Sequence, residues 1–238
     1  MMKSIATCYQ SFIAKLKNFD GIPALMLRVY LAPVFIMAGF SKTQLLNDEV
    51  HGVTALMADP TIIAWFGNSE WGLGLPFPAL LANLVIIVEL LGGWLLLFGV
   101  LTRLVTIPLM FTMFVAATTV HLDHGWFAIT PTNSVISPAK VLTWVGIDSA
   151  KASLDNSDEA AKRLTAMKNL LDENGNTDWL YEKGNIVILN NGVEFSTTYF
   201  IMLLALFFIG AGRYTSVDYF IVKRYFTSGQ ADTPSSGR

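Results

Sequence analysis

Four apolar runs decide what this chain can fold into. They lie at about residues 22–40, 79–97, 104–120 and 193–211, each close to the roughly 20 residues a helix needs to cross a hydrocarbon core. In lipid every backbone polar group must find its partner inside the protein, so such runs can only be helices. The pattern predicts an all-α membrane protein, a four-transmembrane-helix bundle in contact with the lipid bilayer. Composition agrees: 53% of the residues are hydrophobic and 14% charged, too apolar for a water-soluble domain of this size. The formal net charge is −2 and no basic cluster stands out, which argues against a nucleic-acid partner. Cys8 is the single cysteine, so an intramolecular disulfide framework and a cysteine zinc site are excluded.

The spans divide the chain. Residues 1–20 read as an interfacial N-terminal segment, with Ile5, Tyr9, Phe12, Ile13 and Leu16 at helical spacing. Residues 21–121 hold the first three spans. Residues 122–192 are too polar to cross and read as an extracytoplasmic insert. Residues 193–227 carry the fourth span and an interfacial C-terminal segment, and 228–238 have a disordered composition. Between spans one and two, residues 42–77 suit a loop with one or two short surface helices. Trp65, Phe66 and Trp71 are placed there at the membrane interface. In the insert, 157–171 predicts an amphipathic helix capped by Ser157 or Asp158, and NIVILNNG a strand or buried extended segment.

Polar residues inside spans are costly and mark sites. In the first span Arg28, Ala32, Phe35, Gly39 and Lys42 share one helical face. In the second, Glu89, Gly92, Gly93, Leu96 and Gly99 do so, which puts a carboxyl beside a smooth surface where a helix would dock. Glu89 reads as a functional group, as a neutral acid bonded to backbone, or as the partner of Arg28. Leu101–Thr102–Arg103 forms the turn into the third span. That span ends in His121 and His124, spaced i,i+3, so both could face one metal ion. A redox-ligand contact and interfacial anchoring are the alternatives, and no third metal ligand is evident.

Orientation follows from basic residues near the span ends. Lys3, Lys15, Lys17, Arg103, Arg213, Lys223 and Arg224 fall on one side. Both termini should therefore be cytoplasmic and the insert outward. A reporter fusion placing residue 160 in the cytoplasm would refute this topology.

Several segments resemble one family. RVYLAPVFIMAGFSK, VELLGGWLLLFGVLTR, FVAATTVHLDH and GAGRYTSVD are similar to the spans, turn and C-terminal G-x-G-x-x-S-x-D ending of the DoxX family. The resemblance covers roughly 22–121 and 193–218, not the insert. It implies a four-helix bundle in the bacterial inner (cytoplasmic) membrane. Relatives are implied to serve membrane redox systems, such as thiosulfate:quinone oxidoreductase, or maturation of copper-binding peptides. By motif position Arg28, Lys42, Glu89, Arg103 and His121 are the family-typical polar residues.

Two functions follow as expectations. In the first, the protein is a redox-system membrane subunit handling a quinone or another small electron carrier. Arg28 and Glu89 form a buried pair, while His121, with His124 and Trp126 nearby, lies at the outer mouth. A histidine there could pass the proton that quinone chemistry requires. No Rossmann, CxxC or iron–sulfur motif is present, so electrons would come from a protein partner or a noncovalent cofactor. In the second, the protein is a non-enzymatic anchor or assembly factor whose His121 and His124 meet copper, another metal or a peptide. A small-molecule transporter is a third class, without the inverted repeats typical of many. A homo-oligomer is open under each.

Overall fold

The computed structural model describes residues 9–12, 16 and 19–225. Most of the 1–20 segment, Cys8, and the whole of 228–238 lie outside the described residues. The chain divides into two compact units, Met1–Ala116 with Ser196–Arg238, and Ala117–Phe195.

In the first unit α1 spans Gly21–Phe40. After a 3₁₀ turn at Gly52–Leu56 comes α2, Pro60–Gly67. Helix α3 spans Pro78–Phe98 and α4 spans Thr102–Ala116. Among the described residues three helices are long and apolar enough to cross a membrane: Gly21–Phe40, Pro78–Phe98 and Thr102–His124. Their outward faces carry exposed Met26, Val29 and Met37 on α1, Ile87 and Leu91 on α3, and Phe111 and Phe114 on α4, surfaces that only lipid covers at low cost.

The fourth predicted span is helix α8, Glu194–Ile209, of 16 residues. At 1.5 Å per residue it is roughly 24 Å long, short of the ~30 Å core. Gly210, at φ +81°, ends it. Leu203 and Leu206 of α8 pack with Ala24, Leu31, Phe35, Leu96, Val105 and Leu109 in one buried cluster. Helix α9 follows at Val217–Tyr225.

Small residues set the closest helix approach, as their shared face predicts. A Cβ on Gly39 would stand 2.8 Å from the backbone nitrogen of Leu90. One on Gly93 would stand 3.0 Å from the nitrogen of Ile36. Any larger residue would push α1 and α3 apart.

The loop between α1 and α3 is pinned down. Thr43 and Ala58 pair as an isolated antiparallel bridge, and the Ala58 N–H donates to Asn83 Oδ1 at 3.0 Å. Asp59 caps α2 by accepting from the Thr61 N–H at 2.8 Å. Phe66 departs from its interfacial expectation. It is buried with Ala58, Ala82 and Ile86, because α2 turns its apolar face onto α3. Trp71 is 60% exposed.

The second unit has α5 at Ala139–Trp144, α6 at Ser149–Asn174 and α7 at Thr177–Tyr181. Helix α6 starts eight residues earlier than Ser157. Ser157 lies inside it, fully buried, donating back to the Ser153 carbonyl at 2.9 Å, the bond to the preceding turn that satisfies a serine hydroxyl inside a helix. NIVILNNG forms no strand. It runs extended beside 125–130, with an isolated bridge between Ile129 and Leu189. Leu189 is 72% exposed, so this is not a buried segment.

Candidate functional site

The third span stops being a plain α-helix at Ala116. It widens to a π-turn over Ala117–His121, then tightens to 3₁₀ over Leu122–His124. The i,i+3 argument for His121 and His124 assumed a uniform helix, and the change of pitch removes that basis. His121 Nδ1 lies 2.8 Å from the Asn191 carbonyl. A carbonyl only accepts, so Nδ1 carries the proton. His124 and Trp126 instead line a cavity of about 480 Å³ in the second unit, with Phe127, Pro138 and Leu142 among the apolar walls. No formally charged side chain lines it. Asn190 Nδ2 donates to the carbonyls of His124, at 2.5 Å, and Phe127, at 2.9 Å. Among the described residues no group of three or more His, Cys, Asp or Glu could hold a metal ion.

Inside the first unit the structure joins two of the predicted residues. Lys42 Nζ donates to Glu89 Oε2 at 2.6 Å and to the Ala38 carbonyl at 2.9 Å. The Glu89 side chain is 6% exposed and that of Lys42 23%. Glu89 sits mid-helix on α3, beside Gly39 of α1. Lys42 stands just past the end of α1, and its carbonyl accepts from the Asp59 N–H at 2.9 Å. The flexible lysine stem reaches back along its own helix to the carboxylate.

Arg28 does not pair with Glu89. Its guanidinium is 1% exposed and binds only carbonyls. Nε donates to Leu96 at 2.8 Å, Nη1 to Ala211 at 2.6 Å, and Nη2 to Leu97 at 2.7 Å. Nη1 and Nη2 both reach the Thr215 carbonyl at 3.2 Å. The physical reason is direction. Arg28 lies more than two helical turns before Gly39, whose Cβ position touches Glu89, and in α1 it faces the α3 C-terminus. There carbonyls freed by the helix end need donors, and the planar fork of arginine supplies several at once.

That end of the unit holds a residue absent from the predicted site. Asp218 accepts from the N–H groups of Leu101, at 2.7 Å, and Thr102, at 2.9 Å. A carboxylate 116 residues away thus caps α4. The Asp218 N–H in turn donates to the Gly99 carbonyl at 3.0 Å. Gly99 has φ +67°, and a Cβ there would stand 2.8 Å from Arg28 Cζ, so only glycine fits. Arg103 is exposed and donates to the Phe208 carbonyl at 3.1 Å. Arg213 pairs with Asp20 at 2.8 Å. The GAGRYTSVD string carried the signal for this cluster, since its serine and aspartate are Ser216 and Asp218.

The arginine, the glutamate with its lysine and the glycine turn all lie in one stretch. The DoxX family model matches residues 24–122. The chain carries a DoxX domain. Three of its helices are long and apolar enough to cross a membrane, and this domain includes one of them whole and most of the other two. No curated protein and no solved structure matches the chain. The DoxX match takes in Arg28, Lys42, Glu89, Arg103 and His121, and it ends two residues before His124.

Proposed function

We propose that this DoxX-family protein is the membrane component of a redox system handling a quinone or another small electron carrier. The four apolar helices would form one bundle in a bacterial inner membrane, with both termini cytoplasmic and residues 122–192 outward. Electrons would come from a partner subunit or a noncovalent cofactor.

The observation that supports this reading is the Lys42–Glu89 pair. The carboxylate is almost wholly buried mid-helix, while its lysine is about a quarter exposed. One group can hold a proton inside the spans and the other can exchange it with the loop side. Reduction of a quinone needs such a proton delivered along with the electrons.

The test is the purified complex with Glu89→Gln. Loss of a proton-transfer group costs on the order of 100-fold in rate. Such a loss with assembly intact, and a changed pH profile in Glu89→Asp, would support the proposal. Full quinone-dependent activity of Glu89→Gln would end it.

A second reading, a non-enzymatic anchor or assembly factor, draws on the second unit, which lies almost entirely beyond the DoxX match. Mass spectrometry of proteins co-purified from the native membrane separates the two. A stoichiometric oxidoreductase favours the first, and a metal-binding peptide or its modifying enzyme the second.

A further inference from the structure

From Gly125 to Ile147 the second unit carries one formally charged side chain, Lys140. Acidic and basic residues resume at Asp148 and continue through α6. The charge-poor part is also exposed where it is most apolar. Val135 is 67% exposed, Ile136 78%, Val141 53%, Trp144 73%, Val145 71% and Ile147 43%. With Leu142, 46% exposed, that makes seven large apolar side chains within 13 residues, a patch that water alone would not sustain at this density.

We infer that this patch, centred on α5, rests in the headgroup region of the lipid bilayer. Three observations select lipid as the occupant. The segment follows a helix long and apolar enough to cross the membrane, Thr102–His124, with the first patch residue, Val135, eleven positions past its end, so the chain can reach the bilayer surface. Its chemistry is interfacial: a tryptophan, aliphatic side chains and a single lysine whose stem can lie along apolar surface with its ammonium in water. The charged surface of the same unit is kept apart on α6, where Lys162 and Arg163 pair with Glu159 at exposed positions. That division of one unit into a charge-poor part and a charged part is the pattern of a protein surface lying on a membrane. The inference concerns 135–147 alone and holds whether or not the redox reading does.

The experiment uses the full chain in phosphatidylcholine nanodiscs. In a Cys8→Ser background, Val145→Cys carries an environment-sensitive fluorophore, and Ala166→Cys on the exposed side of α6 serves as reference. Ile136→Cys gives a second probe of the patch. Nitroxide lipids quench what touches the bilayer, and iodide quenches what touches water. The expected result is strong nitroxide quenching at 145 and 136, with iodide quenching several-fold weaker there than at 166. Equal iodide quenching at all three positions would overturn the inference. Protection of 145 and 136 from both quenchers would also overturn it, since a second copy or a partner protein would then be the cover.

Discussion

Replacing Arg28 by methionine tests whether this arginine is a structural tie. The guanidinium makes five hydrogen bonds to four carbonyls, two at the end of α3 and two in the segment 211–215. At a net ~1 kcal/mol per bond the loss approaches 5 kcal/mol. The methionine recovers part of that by burying apolar surface, so we expect a loss of about 3–5 kcal/mol. Domains of ordinary stability have only ~5–15 kcal/mol to lose, so the variant should be visibly labile in mild detergent. Arg28→Lys keeps the charge but cannot fork to four acceptors. Losing two of the bonds would cost about 2 kcal/mol. Denaturant unfolding in mixed micelles, followed by circular dichroism, measures both. Hydrogen exchange locates the damage, because amides of 211–218 should open before those of α3. Unchanged unfolding of Arg28→Met, or unchanged exchange in 211–218, would refute the tie.

Other outcomes follow from the same geometry. Lys42→Met leaves the Glu89 carboxylate buried without its partner, and should cost about 3 kcal/mol. The double variant Lys42→Met with Glu89→Met should recover much of it, and micelle unfolding would show whether it does. Gly39→Ala sets a Cβ 2.8 Å from the Leu90 nitrogen, so α1 and α3 must part at a cost of about 1–3 kcal/mol; a thermal midpoint equal to wild type would contradict this. Asp59 is held below the usual carboxylate range first by the Thr61 hydroxyl, then by the Thr61 N–H. A depressed folded value means the capped state of α2 is fully favoured above about pH 4 and is lost as pH falls through the lower folded value. Carbon-13 titration of the Asp59 carboxyl should therefore fall below that of an exposed aspartate and return toward it in Thr61→Val.

Hydropathy made three of the four expected spans legible, because a long apolar run in this chain has one stable form; the fourth run gives a helix of 16 residues. The helical faces were legible too: Arg28, Ala32, Phe35 and Gly39 are all buried on α1, and Glu89, Gly92, Gly93 and Leu96 on α3. Depth was not. A helical wheel shows which residues share a face, not how far apart they stand along it, so Arg28 was matched to Glu89 although Lys42 holds that carboxylate. The pitch change after Ala116 was hidden for another reason. No proline or glycine marks it between Ala116 and His124, so period alone carried the histidines on as one face. Residues 149–156 contain Ser, Lys, Asp and Asn, which read as punctuation ahead of a later start, yet α6 runs through them because helix interiors tolerate such residues on exposed faces.

The Arg28 cluster also has a consequence for biogenesis. Arg28 enters the translocation machinery 187 residues before Thr215, one of its acceptors, is synthesised. At about 5–20 residues per second that interval is roughly 10–40 s. Even after Leu96 and Leu97 are in place the nascent chain holds an intramembrane cation lacking two of its four carbonyl acceptors, and the turn after α3 waits 116 residues for Asp218. A chain that stalls before residue 211 would thus present an unsatisfied arginine inside the bilayer, the kind of mark by which membrane quality control could tell an unfinished copy from a finished one.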